Sequence, residues 1–309
     1  MTAENHIGAR CLIPAAGRGT RLLPITRTVP KALLPVGTRP MLQWCLTEAL
    51  EGGFDEIAVV VGSDQPLLEQ YVRDGEWRSG ILPSLYGRAE AVEIQIVRQA
   101  RPSGVVDAVL VAREWVEEER PFAVLLPDNV RIAGSPPIRA EHLSDAEAED
   151  VVLIACHRVG PEARDYYGNV GRVELEALAP AGARRRVAAL QMRGEGSFRA
   201  EPEGAWRLAP RYTVTRPWIE VARAVAAAAS GEREADDVEV HRRLVTDGRL
   251  FALPWQGTMV DAGHPGGYLW AHHLLHEASS SDREAAEEEP SAPLLQVEGL
   301  QMKPRPSGV

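Results

Sequence analysis

The chain has 309 residues, 45% hydrophobic and 25% charged, enough to bury a sizeable core in one large α/β domain or in two smaller ones. Its formal net charge of −10 excludes the basic footprint of a general nucleic-acid binder, so an anionic substrate must be held by local cations against the field of the whole molecule. Three widely spaced cysteines, Cys11, Cys45 and Cys156, exclude a disulfide framework or a zinc pattern, and no run of about 18 apolar residues offers a membrane span.

The opening "MTAENHIGAR" lacks the basic and apolar stretches of a signal peptide, so a cytoplasmic protein is expected. "RCLIPAAG" then reads as a buried strand that ends in a turn. "PMLQWCLTEALEGG" sets Met41, Leu42, Cys45, Leu46, Ala49 and Leu50 at helical spacing, with glycines as the stop. "EIAVVVG" is a continuous apolar strand, "PLLEQYVRDG" a short helix and "VEIQIVRQ" an alternating strand. "GVVDAVLVAREWV" is helical, and "PFAVLLPDN" is another apolar strand. Strands alternating with helices predict βαβ units and a doubly wound, mostly parallel sheet, with ligands at the strand ends.

The second half is less regular. "DVVLIACHRV", "YYGNVGRVEL" and "RRRVAALQMR" read as strands, "PWIEVARAVAAAASG" and "VEVHRRLVTDG" as helices, and "LFALPWQGTMVDAG" as extended. In "GGYLWAHHLLHEA", His272, His273 and His276 fit an amphipathic helix packed on the domain better than a metal site. After His276 the chain turns rich in Ser, Glu, Ala and Pro, which predicts a domain over 1–276 and a disordered tail over 277–309.

The residues with chemistry begin at the first strand end. In "AAGRGTR", Gly17 and Gly19 allow a ligand close to the backbone, the amides of such a turn can cradle phosphate, and Arg21 adds charge-assisted hydrogen bonds. Pro30 fixes the backbone before Lys31, and the apolar "ALLP" anchors the chain on its far side. A lysine held this way is poorly explained as a solvated surface charge.

The stretch resembles the signature of the sugar-1-phosphate nucleotidyltransferases, G-x-G-T-R followed by P-K, and among these most resembles the bacterial UTP–glucose-1-phosphate uridylyltransferases. Later segments come in the same order over roughly residues 8 to 275. "VRQARPSG" resembles the family's base-reading segment, with Gln99 and Gly104 at the residues that meet the base. "LLPDN" resembles its metal strand at Asp128, "YYGNV" its sugar-facing segment at Tyr167 and Gly168, and "MVDAGHPGGY" its second metal aspartate at Asp261. The resemblance implies a Rossmann-like nucleotidyltransferase fold with a smaller β-rich sugar-side region. It implies Arg21 and Lys31 as catalytic residues, Ala16, Gly17, Gly19, Thr20, Gln99 and Gly104 as nucleotide-binding, and Mg²⁺ on Asp128 and Asp261. A homo-oligomer is expected, with no nucleic acid or membrane as partner.

The implied reaction joins a sugar 1-phosphate, glucose 1-phosphate first, to the α-phosphate of UTP, or of dTTP as second choice, and expels pyrophosphate. Mg²⁺ takes hard oxygen ligands, commonly one or two carboxylates plus phosphates, and positioning with charge neutralisation can carry the rate without a protein nucleophile.

The pattern breaks on the sugar side. Where the family has V-E-K-P, this chain has "ALQMRG", with Gln191 at the glutamate and Met192 at the lysine. Arg193, one step on, points to the other face of a regular strand, and a bulge would turn it inward. In the base loop Val106 replaces a glycine and Asp107 a histidine. After Asp261, residues His264, Pro265 and Gly266 also depart from the family. Gly168, Gln191 and Arg193 are therefore the candidate sugar-phosphate residues. Three readings stand: an enzyme that holds glucose 1-phosphate differently, an enzyme whose acceptor is another sugar or cyclitol phosphate, or a regulatory or degenerate paralogue that binds nucleotide without turnover. A dinucleotide-binding dehydrogenase fits poorly, because "GRGTR" lacks the third glycine and no acidic residue ends the strand at "VVVG".

Overall fold

Strand β1 (Arg10–Pro14) sends alternate side chains to opposite faces, and both faces are buried: Cys11 and Ile13 enter one hydrophobic cluster, Leu12 the other. This is why its sequence is apolar throughout. The computed structural model describes residues 8–112, 120–160, 172–176, 183–191, 205–229 and 235–288. After β1 comes a long loop with short 3₁₀ turns at Thr20–Leu22, Ile25–Arg27 and Lys31–Leu33, then the two-residue strands β2 (Pro35–Val36) and β3 (Arg39–Pro40). Helix α1 (Met41–Glu51), β4 (Glu56–Gly62), α2 (Pro66–Arg73), α3 (Tyr86–Ala91), β5 (Glu93–Gln99) and α4 (Val105–Val111) complete the first half. The second half runs β6 (Phe122–Leu125), β7 (Asn129–Ala133), α5 (Glu141–Ala148), β8 (Val152–Val159), β9 (Arg172–Leu175), β10 (Arg185–Gln191) and β11 (Ala205–Val214). It ends with α6 (Arg216–Ala228), α7 (Asp237–Thr246), β12 (Leu250–Pro254), β13 (Thr258–Asp261) and α8 (Pro265–Glu288).

The main sheet has the order β5-β4-β1-β6-β11-β8-β12-β10-β9. Its first four strands are parallel, as the apolar runs predicted. The rest corrects the expectation of a mostly parallel sheet: β12 is parallel to β8, but β11 is antiparallel to both β6 and β8, and β10 to both β12 and β9. Nor do the sugar-side strands stand apart as a smaller region. They continue the same sheet, and an Arg207–Arg172 pairing joins β9 back to β11, closing β11, β8, β12, β10 and β9 into a ring. The physical reason is that an apolar run reports burial on both faces, not strand direction. Strand β8, antiparallel to β11 on one side and parallel to β12 on the other, is buried on both faces and reads the same way as β4, which is parallel on both sides.

Helices cover both sides. Val106 and Val109 of α4, Trp218 of α6 and Leu244 of α7 pack one face, while Leu42 and Leu46 of α1, Leu68 of α2 and Leu143 of α5 pack the other. A third cluster, including Leu22, Leu34, Met41, Val130, Val260 and Ala271, packs beneath the small antiparallel sheet of β7 and β13. Helix α8 docks there: Tyr268 donates to the carbonyl of Pro35 at 2.6 Å, and the backbone N–H of Gly37 donates to His272 Nδ1 at 3.4 Å. The helix runs on to Glu288, past the expected boundary at residue 276, while residues 289–309 of the expected tail lie outside the described residues. Among the described residues no helix is long and apolar enough to cross a membrane.

Two buried histidines make the fold sensitive to acid. Burial pushes the imidazoles of His157 and His241 down to about 4, with the charge of Arg207 adding to the effect at His157. In the unfolded chain both titrate near 6.5, so below that pH the unfolded state takes up protons that the folded state refuses. Stability is therefore lost as pH falls from about 6.5 toward about 4, by about 2 kcal/mol per histidine at pH 5, and is unaffected by these groups above that window. Urea unfolding at pH 7 and pH 5 should show a clear drop in midpoint, and His241→Phe should remove part of it. A midpoint that does not change between the two pH values would contradict this.

Candidate active site

The first loop is built around a lysine. Gly19 has φ of +66°, and a Cβ there would lie 2.9 Å from both Lys31 Cβ and Thr26 Cγ2. Only glycine meets both demands, and its absent side chain lets the segment Pro30–Leu33 fold back over the turn. Thr26 Oγ1 donates to the Gly19 carbonyl at 2.9 Å and locks the fold-back. Gln65, just before α2, accepts from Gly62 N and donates to the Gly17 carbonyl (2.9 and 3.4 Å), tying the turn to the end of β4. Lys31 Nζ is thereby brought to 2.6 Å from Asp128 Oδ2.

Asp128 sits on a rigid turn between β6 and β7. The N–H of Asn129 donates to the carbonyl of Leu126 at 3.3 Å, making Asp128 the third residue of a four-residue turn. Arg211 of β11 clamps both ends: Nη1 donates to Leu126 O at 2.8 Å and Nη2 to Asn129 O at 2.7 Å. Its other donors meet Glu48 of α1 at 2.7 and 3.0 Å, and both side chains are almost fully buried. Removing one member of such a pair strands a charge in the core. Arg211→Ala should therefore cost about 3–5 kcal/mol in urea unfolding, and the double substitution Glu48→Leu/Arg211→Met should recover most of it, because no buried charge remains. A loss below about 1 kcal/mol for Arg211→Ala would contradict the clamp.

The second carboxylate comes from the neighbouring strand. Asp261 ends β13 opposite Asn129, and the N–H of Ala262 donates to the Asp128 carbonyl at 2.8 Å. Arg21 spans the pair, with Nη1 3.4 Å from Asp261 Oδ2 and Nη2 3.9 Å from Asp128 Oδ2. The Asp128 and Asp261 side chains are only 13% and 8% exposed, whereas Arg21 is 42% exposed and can swing. A Cβ built on Gly263 would sit 2.6 Å from Asp128 Oδ2 and 3.0 Å from Asp261 Oδ1, so both carboxylates address one small space. Electrostatics splits them. Burial alone would raise the Asp128 carboxyl, but Lys31, Arg21 and a hydrogen bond from Asn129 hold it well below the usual carboxylate range. Burial and then the charge of Asp128 push the Asp261 carboxyl up, only partly offset by Arg21. The pair is held together by the cations Lys31 and Arg21.

The donor set suits a hard divalent ion. Two carboxylates converge, and among the described residues no group of three or more His, Cys, Asp or Glu side chains could enclose a metal. The remaining coordination would fall to water and phosphate oxygens, as Mg²⁺ prefers.

A cavity of about 390 Å³ opens beside this centre. Ala16, Gly17, Gly19, Thr20, Gln99 and Gly104, the six nucleotide-side candidates, all line it, together with Arg21, Lys31 and Asp128. A narrower pocket of about 80 Å³ adjoins it, with Arg21, Asp128, Asp261, Leu208, Asp237 and His241 in its wall. Gln191 closes β10, and no hydrogen bond among the described residues joins it to the two aspartates. A register shift in β10 does occur, between Val187 and Ala189, but Arg193 lies outside the described residues, as do Tyr167, Gly168 and Met192. Sequence reasoning missed Gln65, the Arg211–Glu48 clamp, Asp237 and His241. Of these only Asp237 had a readable signal, since "ADDV" carries the Asp-rich start of a helix and Asp236 accepts from Val238 N as its cap.

The family profile described as nucleotidyl transferase matches residues 10–188. The UTP–glucose-1-phosphate uridylyltransferase of Bacillus subtilis (strain 168) is 27% identical over 273 residues, covering 84% of this chain and 88% of that protein. Its counterpart from Streptococcus pyogenes is 28% identical over 275 residues, covering 84% of this chain and 86% of the relative. A solved structure of UDP-glucose pyrophosphorylase complexed with UDP-glucose superposes with a TM-score of 0.69 at 26% identity, covering 88% of this chain and 100% of that one.

Proposed function

The chain belongs to the nucleotidyl transferase family, and from that premise we propose that it transfers a uridylyl group from UTP to a sugar 1-phosphate, glucose 1-phosphate first, releasing pyrophosphate. The observation that carries the reading is the convergence of Asp128, Asp261, Lys31 and Arg21 on one point at the mouth of a cavity walled by the glycine turn. dTTP is the second choice of donor. Relatives named for UTP and glucose 1-phosphate support the first choice.

In the reaction an oxygen of the acceptor phosphate attacks the α-phosphorus of UTP. The new P–O bond forms as the bond to the β-phosphate bridging oxygen breaks and pyrophosphate leaves. A divalent ion such as Mg²⁺, held by Asp128 and Asp261, would neutralise the reacting phosphates. Lys31 pairs with Asp128 in the free protein and exchanges that carboxylate for a phosphate oxygen when nucleotide enters. Arg21, half exposed, follows the charge that grows on the leaving pyrophosphate. The turn at Gly17–Thr20 approaches the triphosphate with backbone amides. Gly168, Gln191 and Arg193 are assigned to the acceptor. No side chain has to attack phosphorus, since alignment and charge supply the rate.

The test is a matrix of each nucleoside triphosphate against a panel of sugar 1-phosphates with Mg²⁺, read by pyrophosphate release. The reading predicts the highest rate for UTP with glucose 1-phosphate. Release with no acceptor present, or with none of the pairs, would overturn it.

A further inference from the structure

The base end of the cavity contains a hydrogen-bond arrangement that has one solution. Gln99, at the end of β5, is buried, and its Nε2 donates to Asp107 Oδ2 at 2.6 Å and to the Gly104 carbonyl at 3.3 Å. A carboxylate and a carbonyl can only accept, so the amide nitrogen must face them and the amide oxygen must face away. Oε1 accepts no hydrogen bond among the described residues, is not among the polar atoms sealed from solvent without a partner, and belongs to a side chain that lines the cavity. Gly104 lines the same cavity, and its backbone N–H makes no hydrogen bond among the described residues. The wall thus presents a fixed acceptor with a donor nearby.

We propose that Asp107 is a positioning residue that sets base specificity. By pinning the Gln99 amide it makes the cavity accept a pyrimidine with a ring N–H beside a carbonyl, as in uracil and thymine, and reject cytosine. This rests on the nucleotidyl-transfer reading and deepens it. Uracil places N3–H against Gln99 Oε1 and O4 toward the Gly104 N–H. Cytosine reverses both: its N3 is an acceptor set against an acceptor, and its 4-amino group is a donor set against a donor. With the base seated against this wall neither mismatch finds a partner, which is where hydrogen-bonding sites discriminate most strongly.

Calorimetric titration of the full chain with UTP, CTP and tripolyphosphate tests the proposal without relying on turnover. The wild type should bind UTP at least about 10²-fold more tightly than CTP. Asp107→Asn keeps the shape but can donate to Gln99 Oε1, which removes the closer of the two acceptors that pin the amide and leaves only the longer contact to the Gly104 carbonyl against inversion. The UTP-to-CTP ratio should then fall to about tenfold or less, chiefly through tighter CTP, with tripolyphosphate affinity unchanged. Asp107→Ser, which can also donate, repeats the comparison in a second background. A ratio equal in wild type and both variants would overturn the proposal, as would a wild type that binds UTP and CTP alike. A wild type that binds tripolyphosphate but neither nucleotide would overturn the nucleotidyl reading on which it rests.

Discussion

Asp128→Asn should lower the turnover of nucleotidyl transfer by about 10³-fold while the melting temperature moves by no more than about 5 °C. The substitution keeps shape and removes charge. A 10³-fold loss corresponds to about 4 kcal/mol of transition-state stabilisation, within what removal of one preorganised charge costs an active site. The effect on stability is smaller because two changes oppose each other. Lys31 loses its partner at 2.6 Å, but Asp261, whose carboxyl is raised in part by the charge of Asp128, is relieved of a neighbouring anion. Steady-state kinetics beside thermal unfolding separates the two quantities. Turnover near the wild-type value would remove Asp128 from the mechanism, and a collapse in melting temperature would make it a structural residue.

Lys31→Ala should lower kcat/KM for UTP by about 10² to 10³-fold with little change in melting temperature. The lysine is held by a loop that exists to hold it: Gly19 leaves room for its Cβ, and a Cβ on Gly17 would lie 3.8 Å from its Nζ. That fit explains a second expectation. Lys31→Arg should recover less than about tenfold of the loss, because a planar guanidinium is larger than the ammonium it replaces and presents its donors in a fixed fork. Full activity in the arginine variant would show that the site needs only a positive charge nearby. Normal turnover with a large loss of stability would show that the lysine is structural.

The sequence made some parts of this architecture readable and concealed others. Strands β1, β4, β5 and β8 were legible because burial on both faces or alternation leaves an apolar signature, and α1 because its buried residues repeat at helical spacing. Strand β11, in the middle of the sheet, was not. Arg207, Pro210 and Arg211 interrupt "AWRLAPRYTV", and a proline argues against a central strand. The structure resolves the conflict with a register shift between Leu208 and Tyr212, where the strand leaves its ladder with β8. Arg211 then finds five acceptors in the core, a satisfaction that depends on residues 163 positions away and that no local pattern encodes. "PFAVLLPDN" read as one strand, yet β6 stops at Leu125 so that the turn at Asp128 can form and Asn129 can begin β7. The residue types of the candidate site were legible for a related reason. Glycines in a strand-end turn, a proline-held lysine and aspartates at strand ends each have a structural explanation when taken singly, and it was their order along the chain that pointed to a ligand. The bond from Gln99 to Asp107 was within eight residues in the sequence, but its direction became visible only with the acceptors around it.

The most direct measurement is a ³¹P NMR time course of the wild-type protein with Mg²⁺, UTP and glucose 1-phosphate, run beside Asp128→Asn. The account predicts that the β-phosphate resonance of UTP and the resonance of glucose 1-phosphate fall together. Those of inorganic pyrophosphate and a sugar-linked diphosphate should rise in equal amounts, and the variant spectrum should stay unchanged over the same period. Loss of UTP to UDP and inorganic phosphate, with glucose 1-phosphate untouched, would contradict it.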